Sequence, residues 1–228
     1  MTHFRSRYAL PAALAVLLAA TLTAHAQAIL PAAQKQPSVS AQKAPNFVSS
    51  QEAKPAVPPP MVEPLIVNGC PIWPYTRCPG ADLRHADLSA RDLAGADLRG
   101  ANLMRADLRV ANLAGANLDG ANLTGARLGK VNAPVATFRG ANLTGADLDH
   151  GRLMRVDFSD ADFTGANLEA ARVPFSWFKR TKFIGTNLQE TKFNATNLQD
   201  ATMDGSFLRY TIFPDSFFEG CKGCPTDW

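Results

Sequence analysis

From Ala81 onward one large apolar side chain returns at every fifth residue, and the residues between are small, polar or charged in a fixed order. The central positions run without a slip from Leu83, Leu88 and Leu93 to Leu128. They continue through Ala133, Phe138, Leu143, Leu148, Leu153, Phe158, Phe163, Leu168, Val173, Phe178 and Phe183 as far as Phe213 and Phe218. Two residues before each stands a small side chain, alanine early (Ala81, Ala96, Ala101) and threonine late (Thr181, Thr186, Thr191), with Arg91 the clearest exception. The run amounts to about 28 uninterrupted repeats.

A period of five belongs to neither the helix nor the strand, whose periods are about 3.6 and 2. A helix would scatter the leucines over all its sides. A chain that turns a corner after every repeat points all of them at one axis, and four such sides close a square. Each coil then takes about 20 residues, and coils stacked at the strand spacing of about 4.8 Å predict about seven coils in a rod about 34 Å long. Stability comes from contacts between neighbouring coils. Each buried Leu or Phe contributes about 1.5 to 3 kcal/mol.

The units ADLRH, ADLSA, ADLRG, ANLTG and their variants resemble the pentapeptide-repeat family from Ala81 to about Gly220. The resemblance implies an all-β fold, a right-handed quadrilateral β-helix; the handedness comes from the family and not from the spacing.

The flanks differ in composition. Residues 1–26 read as a secretory signal: Arg5 and Arg7, an apolar run from about Ala9 to Ala20, and a small-x-small site at Ala24-His25-Ala26, with cleavage expected before Gln27. The run is shorter than a bilayer span, so the mature chain is expected to have no transmembrane segment. Residues 27–60, rich in Ala, Pro, Gln and Ser, read as a disordered linker. Residues 61–80 and 221–228 are expected to cap the 81–220 solenoid, because open ends expose apolar rungs and strand edges. In an exported chain Cys70 with Cys78, and Cys221 with Cys224, are disulfide candidates. A redox role for the Cys221/Cys224 pair stays open. Localisation is expected to be periplasmic or extracellular.

Chemistry is sparse in this sequence. A four-cysteine metal site would need the two ends of the rod to meet, so neither metal nor cofactor is expected. His85 and His150 fall on outward corners, without a nucleophile in a recognisable motif. Asp82, Asp87, Asp92 and Asp97 obey the repeat, which assigns them to turn hydrogen bonding, so no catalytic residue is named. Steps of twenty stack Asn102, Asn122 and Asn142, with Thr124, Thr144 and Thr164 alongside, predicting polar ladders. The formal charge of +3 is small and disfavours a polyanion, nucleic acid included.

The departures from the repeat gather elsewhere. Pro134, Pro174 and Pro214 share one face, near Val135, Met154, Phe175 and Trp177, and Arg152, Arg172 and Lys192 stack just before that corner. An apolar strip with a basic edge is the candidate contact surface. Phe207, Tyr210, Ile212 and Phe217 belong either to it or beneath the C-terminal cap. The reading that follows is an exported, non-enzymatic binding or scaffold module of the cell envelope, meeting a protein or glycan and open to end-to-end dimerisation. Two alternatives carry less. The resemblance brings in family members that mimic DNA and protect type II topoisomerases, but those are acidic and cytoplasmic. A polysaccharide-active solenoid enzyme is motivated only by architecture and compartment.

Overall fold

The protein's structure, a computed structural model, describes residues 65–225. The expected signal and linker, residues 1–26 and 27–60, lie outside the described residues.

The described part begins with a hairpin, strands β1 (Leu65–Val67) and β2 (Cys70–Ile72), antiparallel with Leu65 opposite Ile72. Its two-residue turn is Asn68-Gly69, with φ of 46° and 81°. Positive φ at both positions is what the tight turn demands and what Asn-Gly accommodates.

The rest is the repeat. Parallel bridges join residues twenty apart, for example Asp82 to Asn102, Asn102 to Asn122 and Asn122 to Asn142, so four repeats complete one circuit. We number the sides by their central columns: side 1 from Leu83, side 2 from Leu88, side 3 from Leu93 and side 4 from Leu98.

The repeat at 121–125 shows why the motif has its form, because each of its five backbone N–H groups finds an acceptor. Asn122 donates back to Ala101, while Leu123 and Gly125 donate forward to Asn142 and Thr144. Ala121 donates to Leu118 across the corner. The N–H of Thr124 is left, and it donates to Oδ1 of Asn122 at 3.1 Å. Only this fourth position relies on a side chain, which accounts for Asp or Asn two residues earlier. The same bond recurs at Asp82, Asp92, Asn102, Asn142 and Asn187, bearing out the turn role expected for the aspartates.

The corner explains the fifth position. Every residue numbered by fives from Tyr75 to Gly220 has φ between 50° and 72°. With a corner bond from residue 86 N–H to Leu83 C=O, positive φ at the third residue describes a type II turn, favouring glycine there and proline just before it. Pro134, Pro174 and Pro214 take that proline position, and their missing N–H is the one that no main-chain bond between coils uses.

Inside, the central residues and their small partners are buried. Early columns are leucine over alanine. Later ones mix leucine with phenylalanine, with Phe138, Phe158 and Phe178 stacked at 4.9 and 5.2 Å between centroids. There the alanines give way to Thr181, Thr186, Thr191 and Thr211, whose hydroxyls donate to the carbonyls of Phe158, Phe163, Leu168 and Leu188 in the preceding circuit.

Coil pairing extends past 81–220 at both ends: Arg77 bridges Asp97, and Thr202 bridges Lys222. Cys70 is bonded to Cys78, tying the hairpin to the first circuit, and Cys221 is bonded to Cys224. Asn68 also donates to the Asp82 carbonyl at 2.8 Å. Among the described residues no helix is long and apolar enough to cross a membrane.

Candidate functional site

The outer wall is built from the second, fourth and fifth positions of each repeat, and its charges fall into two kinds of arrangement. On sides 1, 2 and 4 arginines lie against aspartates: Arg84 on Asp82, Arg99 on Asp97 and Arg109 on Asp107, at 2.6 to 2.7 Å. The side-chain hydrogen bond from Arg84 holds the Asp82 carboxyl down to about 2, and Arg99 and Arg109 lower Asp97 and Asp107 in the same way. Later pairs join circuits, Arg180 to Asp160 and Arg139 to Asp157, both at 2.6 Å. Burial pushes the Asp157 carboxyl up, but Ser159 and Arg139 outweigh it and the net direction is down.

Side 3 is the other kind. Its second-position column reads Asp92, Asn112, Asn132, Arg152, Arg172, Lys192 and Ile212, each bridged to the next where a bridge forms, including Arg152 to Arg172 and Arg172 to Lys192. Up to Asn132 the column is an amide ladder: Asn132 Nδ2 donates to Asn112 and Asn112 Nδ2 to Asp92, at 3.1 and 2.9 Å. From Arg152 it becomes a file of exposed cations. Among the described residues no ion pair involves Lys130, Arg152, Arg172 or Lys192, so like charges stand on consecutive rungs without a neutralising carboxylate.

These cations line a groove of about 840 Å³ along the corner between sides 2 and 3. Lys130, His150, Glu190 and Tyr210 come from the fifth-position column of side 2, while Val110 and Ala170 supply apolar wall. The candidate contact surface therefore divides. Arg152, Arg172 and Lys192 open into this groove, whereas Val135 and Trp177 line a smaller cleft of about 400 Å³ on the far corner of side 3 with Arg155 and Asp157. Thr137, whose buried hydroxyl has no hydrogen-bond partner among the described residues, lines that cleft as well. Val135, Met154, Phe175 and Trp177 are exposed, Phe175 by 53% and Trp177 by 43%, and Arg155 lies 6.0 Å over the Phe175 ring. Pro134 and Pro174 are half-buried at the turn between them.

One expectation is corrected. The cross-circuit amide ladder lies not on Asn102, Asn122 and Asn142 but on side 3, and on side 2 through Asn187, Asn167 and Asp147. The reason is local. The threonine two residues on claims the acceptor, as Thr124 Oγ1 does on Asn122 at 2.6 Å, while side 3 has Ala114 and Pro134 there. Thr164 likewise donates to Asp162, so these hydroxyls are occupied within their own turns. The last aromatics, Phe207, Tyr210, Ile212 and Phe217, all face outward, and of these Tyr210 and Ile212 line the groove. Lys130, His150 and Glu190 were missed as groove residues. Their signal was a corner column, two residues before that of the arginines.

Asp149 and His150 lie 3.1 Å apart at an exposed corner. Among the described residues no cluster of His, Cys, Asp or Glu could hold a metal ion.

The family profile of pentapeptide repeats matches in eight copies over residues 81–116, 92–132, 136–172 and 178–209, more than half of the chain. No curated protein matches the sequence. Among solved structures, HetL, a pentapeptide repeat protein involved in heterocyst differentiation regulation in the cyanobacterium Nostoc, is 27% identical, with 64% of this chain and 74% of HetL covered and a TM-score of 0.30. A pentapeptide repeat protein of the Arabidopsis thaliana thylakoid lumen is 37% identical, with 45% of this chain and 64% of that one covered and a TM-score of 0.25. QnrB1, a plasmid-mediated fluoroquinolone resistance protein, is 16% identical, with 65% and 73% covered and a TM-score of 0.46.

Proposed function

This chain belongs to the pentapeptide-repeat family, and from that premise we propose that it is an exported, non-enzymatic binding or scaffold module of the cell envelope. Its solenoid is taken as right-handed, with about seven circuits of twenty residues each. The core consumes the central and small positions, so the outer wall is what remains for recognition. The observation that carries the reading is side 3 with its two corners. There the repeat's own residues are replaced by Arg152, Arg172, Lys192, Val135, Met154, Phe175 and Trp177, exposed apolar groups beside cations. Local rules broken where nothing in the fold requires it mark a functional surface. Export is supported by the signal pattern of residues 1–26 and by the two cysteine pairs.

The DNA-mimic alternative draws no support from the wall, because Asp82, Asp97 and Asp107 are neutralised in place by arginines. The test is capture from a native envelope fraction with the wild-type chain and with Phe175→Ser/Trp177→Ser. The reading predicts a partner lost from the variant. An unchanged set of captured molecules contradicts it.

A further inference from the structure

We propose that the groove between sides 2 and 3 binds a linear acidic polysaccharide, setting successive sugar carboxylates on Arg152, Arg172 and Lys192. This rests on the reading of the outer wall as a binding surface and names the ligand class for one part of it.

The first argument is electrostatic. Three cations stand on consecutive bridged rungs, and Lys130 borders them in the same groove. Elsewhere the fold places an aspartate against an arginine repeatedly; here it places none. Arg91 and Arg105 also lack a carboxylate partner among the described residues, but they are not stacked on other cations. Glu190 lies in the same groove but pairs with none of the three, and a file of like charges without an ion-paired counterion is unfavourable until an anion supplies one. A guanidinium fork suits a planar carboxylate in particular.

The second argument is what the fold gives up. Asp or Asn at the second position caps the N–H of the fourth, and Arg152 and Lys192 have no acceptor to offer Met154 and Asn194. Arg172 precedes Pro174, which has no N–H to cap. The cap is also given up singly at Arg127 and Lys182, but those cations reach Asp107 and Asp162, whereas on side 3 three consecutive rungs carry a cation and reach no carboxylate.

The third argument is shape. The groove runs along the stacking axis, from Val110 and Lys130 to Tyr210 and Ile212, which suits an extended chain better than a compact ion. Val110, Ala170, Ile212 and the Tyr210 ring offer apolar wall to sugar faces. Single-stranded nucleic acid would call for successive aromatic platforms among the cations, and the groove offers the small His150 ring there and Tyr210 at its far end. Asp149 and Glu169 on side 2 and Glu190 within the groove oppose a broad polyanion such as a duplex. What fits is a slim chain with its charges along one edge. The small net charge of the whole chain, which disfavours polyanions in general, does not describe this face.

The test is calorimetric titration of the purified full-length chain at low salt with a galacturonic acid oligomer, a neutral glucan oligomer of equal length and oligothymidylate. The galacturonate should bind, weaken as salt rises, and lose roughly tenfold or more in affinity in Arg152→Gln/Arg172→Gln/Lys192→Gln. Arg84→Gln/Arg99→Gln, on other sides, should bind as wild type. Phe175→Ser/Trp177→Ser should also retain the glycan, so loss of a protein partner and loss of this site are told apart. Circular dichroism checks folding, and Arg152→Asn, which restores a cap while removing one cation, serves if the triple variant unfolds. No galacturonate binding at low salt, equal binding by the triple variant, or tighter binding of glucan or oligothymidylate overturns the proposal.

Discussion

Up to about residue 130 the central column is leucine over alanine, most corners are glycine or small, and surface arginines lie on aspartates two residues away. Beyond it stacked phenylalanines enter the axis among the leucines, threonine and serine replace most of the alanines from Ser176 on, the corners admit Val135, Phe175 and Tyr210, and the capping column on side 3 turns into cations. Backbone bonding scarcely changes across that boundary. A circuit closed by main-chain hydrogen bonds leaves its side chains free to diverge, provided the axis stays filled. The early circuits spend their surface on stability, and the later ones have released theirs.

The contrast is breakable at the core first. Phe158 stacks on both Phe138 and Phe178 and meets Phe163 edge-on, so Phe158→Ala removes three ring contacts and should cost about 3 to 5 kcal/mol in urea denaturation. Leu108→Ala should cost somewhat less, about 2 to 4 kcal/mol. Equal losses would mean that the rings add nothing beyond volume. Thr186→Val keeps the volume but deletes the hydroxyl bond to the Phe163 carbonyl, a loss of about 1 kcal/mol in the same assay. Since Ala166 N–H also donates to that carbonyl, it is not left bare.

Two substitutions should stabilise the later circuits by making them more like the early ones. Val135 is β-branched at φ 60°, so Val135→Gly should raise stability by about 1 kcal/mol in thermal melts. In high salt, which screens the repulsion along the cation file, Arg152→Asn restores an acceptor for Met154 N–H and should gain about 0.5 to 1 kcal/mol, whereas Arg172→Asn gains nothing because Pro174 has no N–H. Equal gains at both sites would refute the capping account. The smallest effect is acid sensitivity. Asp82, Asp97 and Asp107 titrate lower in the fold than in the open chain, so what they contribute is present above the ordinary carboxylate value of about 4 and fades as pH falls toward 2. Melts from pH 5 to pH 2 should fall, and fall less in Asp82→Asn/Asp97→Asn/Asp107→Asn, whose amides keep the caps.

The axis was legible because Leu83 to Phe218 is a one-letter signal repeated at a fixed step, and so was the capping role of Asp82 and its successors. The ends were less so. Thr76-Arg77-Cys78-Pro79-Gly80 carries the repeat's small, central and corner residues, but its cysteine reads first as a disulfide partner and hides that it opens the first circuit. The amide ladder escaped because steps of twenty show which side chains stack and not which acceptors a nearby threonine has already taken. The groove escaped because its walls come from two columns on adjacent sides, Lys130 to Tyr210 and Asn132 to Ile212, and a spacing rule follows one column at a time.

That residues twenty apart form adjoining rungs on one side is the claim beneath both the core and the cation file. Nitroxide labels on Arg152→Cys/Arg172→Cys, on Arg152→Cys/Lys192→Cys and on Arg152→Cys/Asp162→Cys test it by dipolar broadening. The account predicts the strongest broadening for residues 152 and 172, less for 152 and 192 two rungs apart, and least for 152 and 162 on opposite sides. Broadening for 152 and 162 equal to or above that for 152 and 172 would contradict it.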